Sequence, residues 1–157
     1  MATILSTACQ ATSEIPISDS DIIEISGLQI GMSETELINE LGEPNKIVSP
    51  KLPFQHTTYF YSGLTIDFMQ SGPEVDSPIV VSELSSTSSD HCLNQIVCPG
   101  DSLKSISDIL GETNLVPANH GKPARLEYIL PKLEGCWVWV FTEDMKTASE
   151  IRIACQP

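Results

Sequence analysis

The side chains that could perform acid–base, nucleophilic or metal chemistry are scattered along this chain. Its three histidines, His56, His91 and His120, fall in predicted loops or at strand ends and show no metal-ligand spacing. The sequence contains no His-Glu-x-x-His metal motif, no Gly-x-Ser-x-Gly nucleophile turn and no glycine-rich phosphate loop. The paired carboxylates Glu34 and Glu36 fit the first turn of a helix, where the helix dipole favours negative charge. We therefore expect no enzyme activity, no cofactor and no metal site.

The cysteines carry more information. Cys92, Cys98, Cys136 and Cys155 form an even set without the Cys-x-x-Cys spacing of a zinc or redox site. An even set in a small domain predicts two disulfide bonds and an oxidising compartment, the alternative being that some of these residues are buried thiols. Four cysteines allow three pairings, and the sequence alone leaves all three open. A predicted hairpin with its turn at 142–147 favours Cys136 with Cys155, which leaves Cys92 for Cys98.

The fifth cysteine, Cys9, lies apart near the start of the sequence. Small residues precede it, as they do in the segment where bacterial lipoproteins are cleaved and lipidated. We expect lipidation at Cys9 or, as the alternative, an incidental thiol in a disordered tail. Residues 1–21 as a whole are rich in Ser, Thr and Ala, and they are predicted to be a disordered tether or a signal remnant.

An aromatic run in the C-terminal half predicts a binding surface. Alternation in the predicted hairpin gathers five side chains on one face: Trp137, Trp139, Phe141, Glu150 and Arg152. Because charges mark the solvent side of the last strand, this face should be exposed, and exposed aromatic side chains mark partner sites. The alternative is that both tryptophans are core residues, since a one-residue register slip reverses the faces. Three side chains of the first half complete the predicted partner-binding set: Tyr59, Tyr61 and Asp67.

The net charge of the chain limits the classes of partner. The sequence contains eight Lys and Arg residues and 21 Asp and Glu residues, which gives a formal net charge of −13 at pH 7. Nucleic acids and anionic membranes attract a positive surface, so neither is an expected partner. A basic protein fits the charge through electrostatic complementarity, although acidity also serves solubility alone.

The elements that position these residues are predicted from a motif that occurs twice. Gly31-Met32-Ser33 leads into Leu41-Gly42-Glu43, and Gly100-Asp101-Ser102 leads into Leu110-Gly111-Glu112 at the same offset. In the first copy Ser33 and Glu36 predict a capping box, and Gly42 followed by Pro44 predicts the end of a short helix. Alternating strands follow each helix.

The predicted fold is therefore α+β: a tandem repeat of a short helical segment followed by an antiparallel β-meander, with the helices on one face of the sheet. Residues 22–89 are assigned to repeat 1 and residues 90–157 to repeat 2, packed as one unit. If each meander gains an edge strand, the two together form an eight-stranded concave sheet.

The segment Gly31–Pro44 has the pattern G-M-S-x-x-E-L-x-x-x-L-G-x-P. With the aromatic meander behind it, this segment resembles the small outer-membrane lipoproteins of the SmpA/OmlA family. The tandem arrangement of two such units is similar to the β-lactamase inhibitory protein family. Members of that family contain two of these units, with disulfides and a concave sheet that binds an enzyme. The resemblance covers residues 22–155 and weakens in the second copy, where Asp101 replaces Met32 and Thr113 replaces Pro44.

The resemblance implies a periplasmic or secreted protein that works by binding. The expected function is that of an inhibitor or immunity protein that blocks a basic enzyme through its sheet face and loops. The alternative is a structural envelope lipoprotein that assists outer-membrane assembly or tethering. In either case the protein would contact a membrane only through a lipid on Cys9.

Overall fold

The computed structural model describes residues 22–49, 56–72 and 76–155. The predicted tether 1–21, with Cys9, lies outside the described residues. The elements in chain order are α1 (Glu34–Leu41), β1 (Lys46–Val48), β2 (Thr57–Tyr61), β3 (Leu64–Gln70), β4 (Ile79–Ser86), α2 (Leu103–Leu110), β5 (Leu115–Val116), β6 (Ala124–Ile129), β7 (Cys136–Thr142) and β8 (Glu150–Cys155).

All eight strands belong to one antiparallel sheet with the order β1-β2-β3-β4-β8-β7-β6-β5. The prediction of a tandem-repeat α+β fold is wrong, because the protein is mainly β. Each of the two helices has only eight residues, about two turns. The N-caps and the terminal glycines of the two helices are strong local signals in the sequence. The strands, however, supply most of the buried side chains.

The two helices begin and end where local chemistry places them. At α1 the Ser33 hydroxyl accepts a hydrogen bond from the backbone N–H of Glu36, whose carboxylate accepts one from the Ser33 N–H. This is the predicted capping box. At α2 the cap is Ser102, which accepts from the N–H of Ser105. Its neighbour Asp101 instead accepts from the N–H of Cys98 at 2.8 Å.

The hydrophobic core lies between the helices and one face of the sheet. Strand β3 alternates between buried and half-buried residues, with Leu64, Ile66 and Phe68 turned inward. Leu37 of α1 and Ile106 of α2 join the same core cluster. The segments 22–89 and 90–157 therefore share one sheet and one core, while the boundary between them stays a prediction.

The structure contains both predicted disulfide bonds, Cys92–Cys98 and Cys136–Cys155. Cys136 lies directly opposite Cys155 in the β7–β8 pair. The predicted turn at 142–147 is too short, since Phe141 pairs with Glu150 and the whole register shifts by two residues. A shift of two keeps every side chain on its predicted face, because the strand period is two.

Candidate partner-binding surface

The face of the sheet opposite α1 and α2, here called the open face, gathers charged and aromatic side chains on its central strands. The open face is defined by seven of these residues: Asp67, Glu83, Trp137, Trp139, Phe141, Glu150 and Arg152. Register places them side by side, since Trp139 pairs with Arg152 and Asp67 pairs with Glu83. Six of them belong to the set predicted from the sequence, and Glu83 does not.

Three aromatic rings of β7 form a ladder along the open face. The indoles of Trp137 and Trp139 lie 6.4 Å apart between ring centroids, with planes inclined by 17°. Trp139 meets Phe141 edge to face, also at 6.4 Å. Both tryptophans are half-buried and lie outside the hydrophobic core. Phe141 is only 7% exposed, so the prediction that it is exposed is wrong, and Arg152 lies over its ring. Ile129, opposite Trp137 on β6, extends the apolar surface with 71% exposure.

Arg152 is the central cation of the open face. Its guanidinium lies 2.6 Å from a carboxylate oxygen of Glu150 and 3.2 Å from one of Glu83. Its Cζ atom also lies 4.9 Å from the centroid of the Phe141 ring. The Ser85 hydroxyl donates to Glu150 at 2.7 Å, which fixes that carboxylate further. Charge-assisted hydrogen bonds of this kind hold side chains in one geometry before any partner arrives.

A second arginine supports the ladder from the neighbouring strand. The guanidinium of Arg125 on β6 lies 2.6 Å from Glu127 and 5.9 Å from the ring centroid of Trp139. The attraction between a cation and an aromatic face therefore occurs at two of the three rings.

A cavity of about 330 Å³ opens on this face across the neighbouring strands β3, β4, β8 and β7. Asp67 and Glu83 line it together with Trp137, Trp139 and the exposed His56. Burial is the main cause that raises the pKa of the Glu83 carboxyl above its ordinary value, and nearby carboxylates add to it while Arg152 opposes it. The Thr58 hydroxyl donates to Asp67.

The set predicted from the sequence missed Glu83, whose place opposite Asp67 depends on a β-bulge. The register of the β3–β4 pair shifts between Asp67 and Phe68, so Glu83 comes opposite Asp67 while Val81 comes opposite Phe68. Ser82 takes up the extra position, and its hydroxyl donates to the Asp67 carbonyl at 3.1 Å. A bulge re-aims side chains, and here it brings two carboxylates together on the open face.

Two predicted partner contacts lie on the other side of the sheet. Tyr59 is 5% exposed within the core, and its hydroxyl donates to Glu34 of α1. Tyr61 packs against the core and donates to the Gly42 carbonyl at 3.0 Å. Both tyrosines therefore hold the first helix to the sheet. They lie on the helix side and do not belong to the same surface as Trp139, contrary to the predicted partner-binding set.

A serine and a histidine meet away from the open face. Ser26 Oγ lies 2.8 Å from His91 Nδ1, and His91 Nε2 lies 3.0 Å from the Ser62 carbonyl. Because the carbonyl accepts only, Nε2 carries a proton and donates it to the Ser62 carbonyl. The imidazole thus ties together three distant segments of chain.

Within residues 22–49, 56–72 and 76–155, no three His, Cys, Asp or Glu side chains are grouped so that they could hold a metal ion. No helix in this part of the chain is long and apolar enough to span a membrane.

No protein-family model matches this sequence, and no curated protein matches it either. Two solved structures are similar. One is a DUF4309 family protein, YjgB, from Bacillus subtilis, at 14% identity and a TM-score of 0.50, with 83% of each chain covered. The other is an extracellular protein from Bacillus anthracis that contains an SCP domain, at 10% identity and a TM-score of 0.57. That match covers 98% of this chain and 50% of the other, so the present chain spans half its length. At these identities the likeness concerns the fold alone.

Proposed function

We propose that the protein is a secreted, non-enzymatic binding module that blocks a basic enzyme by docking the open face on it. The observation that carries the proposal is the aromatic ladder of Trp137, Trp139 and Phe141 beside a cluster of carboxylates, on a sheet face that neither helix covers. Tryptophan is enriched among the residues that contribute most to protein–protein binding.

The open face is held rigid, which favours tight binding. Ion pairs fix Arg152 from both sides, and the Cys136–Cys155 disulfide clamps β7 to β8 beside Trp137. A surface that is already ordered loses little side-chain entropy on association. Rigidity of this kind suits an inhibitor that must occlude a site by shape.

The charge of the protein favours a basic partner. The formal charge is −13, and three carboxylates lie on the open face. Complementary charge speeds association and makes it depend on ionic strength. We infer that the partner presents a positive surface.

Secretion is supported by the chemistry of the cysteines. Two disulfides persist only in an oxidising compartment, such as the periplasm or the exterior of the cell. The similar Bacillus anthracis structure is that of an extracellular protein, which agrees with this placement. Lipid anchoring through Cys9 stays a prediction.

A capture experiment tests the proposal. The full chain is immobilised and exposed to periplasmic and secreted extracts at low and high salt, alongside a Trp137→Ala/Trp139→Ala double variant. The control is Ile96→Ala, which removes an exposed apolar side chain from the disulfide loop 92–98, away from the open face. We expect one basic enzyme to be retained by the wild type and the control but lost from the double variant.

The captured enzyme is then purified and titrated with the protein. Inhibition that is complete at an equimolar ratio supports the inhibitor function. Capture without any inhibition would refute it, and turnover of a substrate by the protein alone would refute the non-enzymatic assignment.

A further inference from the structure

The cavity on the open face combines two kinds of wall. One wall is the stacked indole pair of Trp137 and Trp139, whose planes are nearly parallel. The opposite side carries the carboxylates of Asp67 and Glu83, which the β-bulge brings together. Aromatic faces and carboxylates share one preference, since both attract positive charge.

Among the described residues, the carboxylates beside the cavity outnumber the cationic groups that contact them. Three carboxylates, those of Asp67, Glu83 and Glu150, share the single guanidinium of Arg152, which contacts the last two. Asp67 is held by the Thr58 hydroxyl rather than by a cation. Among the described lining residues His56 is a further titratable group; it is exposed, and its charge acts with that of Arg152 to lower the pKa of Glu83 against the effect of burial.

We propose that this cavity binds the basic side-chain group of the protein partner, a lysine ammonium or an arginine guanidinium. The inference rests on the proposed function, because it names the chemistry by which the open face recognises its partner. The cation enters between the indole wall and the two carboxylates. Its aliphatic stem then packs on the aromatic ladder, as long basic side chains do on apolar surfaces.

The alternative occupants fit the cavity less well. An acidic side chain would face Asp67 and Glu83 directly, and like charges at close range repel. An apolar side chain would remove both carboxylates from water and bring no positive charge in return, which costs free energy for each charge desolvated. A cation would add positive charge beside Glu83, whose carboxylate is partly buried and shares the Arg152 guanidinium with Glu150.

The test uses the full chain labelled with ¹⁵N and the indole N–H resonances of its two tryptophans. Three acetylated and amidated pentapeptides are titrated, identical except for a central lysine, arginine or norleucine. We expect the lysine or the arginine peptide to shift both indole resonances saturably, with an affinity at least roughly tenfold above that of norleucine. Comparison of the first two peptides identifies which basic group the cavity prefers.

Variants locate the site. Asp67→Asn/Glu83→Gln keeps the shape of both side chains and should abolish the preference for the charged peptides. Glu112→Gln removes a charge at an exposed position after α2 and should leave the preference unchanged. Amide spectra of each variant confirm the fold. Binding should also weaken as the pH falls through the raised pKa of Glu83, because protonation removes one of the two charges that face the cation.

Two results would overturn the proposal. One is the absence of any saturable indole shift with both charged peptides, and the other is equal binding of the norleucine peptide. If Trp137→Ala/Trp139→Ala loses a captured basic enzyme while Asp67→Asn/Glu83→Gln retains it fully, the cavity proposal fails and the proposed function stands. If the charged peptides bind and no partner is captured, the cation site stands and the proposed function fails.

Discussion

Arg152 Nη1 lies 3.2 Å from Glu83 Oε1, and this ion pair joins β8 to β4. These two strands form the junction at which the strands of the first half of the chain meet those of the second half. The same guanidinium holds Glu150 and covers Phe141. The contacts that connect the two halves of the sheet therefore also set the shape and charge of the candidate binding surface.

Glu83→Gln should stabilise the protein at neutral pH. Burial, together with the neighbouring carboxylates, raises the pKa of Glu83 above its ordinary value of 4.5 despite Arg152. The folded state then binds more protons than the unfolded state in that window, so the free energy of unfolding falls as the pH rises through the raised pKa. A glutamine side chain carries no charge at any pH, so Glu83→Gln avoids this decrease in the free energy of unfolding.

Denaturant unfolding of Glu83→Gln and wild type at pH 4 and pH 7 tests this sign. We expect the variant to be more stable at pH 7, with the difference shrinking towards pH 4. A variant that is less stable than wild type at pH 7 would mean that the ion pair with Arg152 outweighs the cost of burial.

Arg152→Ala should destabilise the protein, because it leaves Glu83 and Glu150 without their cation. Loss of one partner from a fully buried pair costs about 3–5 kcal/mol, and the Arg152 side chain is 30% exposed. We therefore expect a decrease of about 2 kcal/mol in the free energy of unfolding.

Arg125→Ala is the matched control for Arg152→Ala. Arg125 has one carboxylate partner, Glu127, and lies on β6, away from the junction. Its loss should cost less than the loss of Arg152, as measured by urea unfolding at pH 7. Equal costs for the two variants would contradict the central role of Arg152.

Asp144→Ala should destabilise the turn between β7 and β8 in a manner that depends on pH. The Asp144 carboxylate accepts from the N–H groups of Lys146 and Thr147, each at 2.8 Å. These bonds lower the pKa of Asp144 from 3.8 to about 2. A lowered carboxyl pKa gives stability that is present above the ordinary value and is lost as the pH falls through the folded value.

The thermal midpoint of Asp144→Ala should accordingly lie below that of wild type at pH 7, and the gap should narrow between pH 4 and pH 2. The neighbouring acidic residue provides the comparison variant, Glu143→Ala. If both variants shift the midpoint equally at every pH, the turn does not depend on the Asp144 carboxylate.

The two disulfides should differ in their contribution to stability. Cys136–Cys155 spans 19 residues and Cys92–Cys98 spans 6, and the loop-entropy relation gives about 3 kcal/mol and about 2 kcal/mol respectively. Double replacement by alanine at each bridge, followed by denaturant unfolding, measures both. A larger loss at the shorter loop would show that native packing, and not loop length, decides the order.

Local features of this fold could be predicted because a few neighbouring residues determine them. The capping box at Ser33 and the glycine after each helix place α1 and α2 within a residue or two. Strict alternation from Leu64 to Phe68 gives β3 and its buried face. The face of Trp137 and Trp139 also follows from alternation, which a two-residue error in register leaves intact.

Other features depend on interactions that a local pattern does not contain. The run Thr57–Tyr61 has three consecutive aromatic residues, so alternation could not assign Tyr59 and Tyr61 to the helix side. Strands β1 and β5 have three and two residues, too few for a periodic signal. The predicted fold class was wrong because the two short helices, despite their strong local caps, contribute far fewer buried side chains than the strands do.

The position of β8 determines whether β4 and β7 have free edges. Within the described residues it is the last strand in chain order, yet it lies between β4 and β7 in the sheet. Without residues 150–155, β4 and β7 would each present an edge of unpaired backbone groups. A variant truncated before residue 150 would therefore expose two strand edges that can pair with other chains.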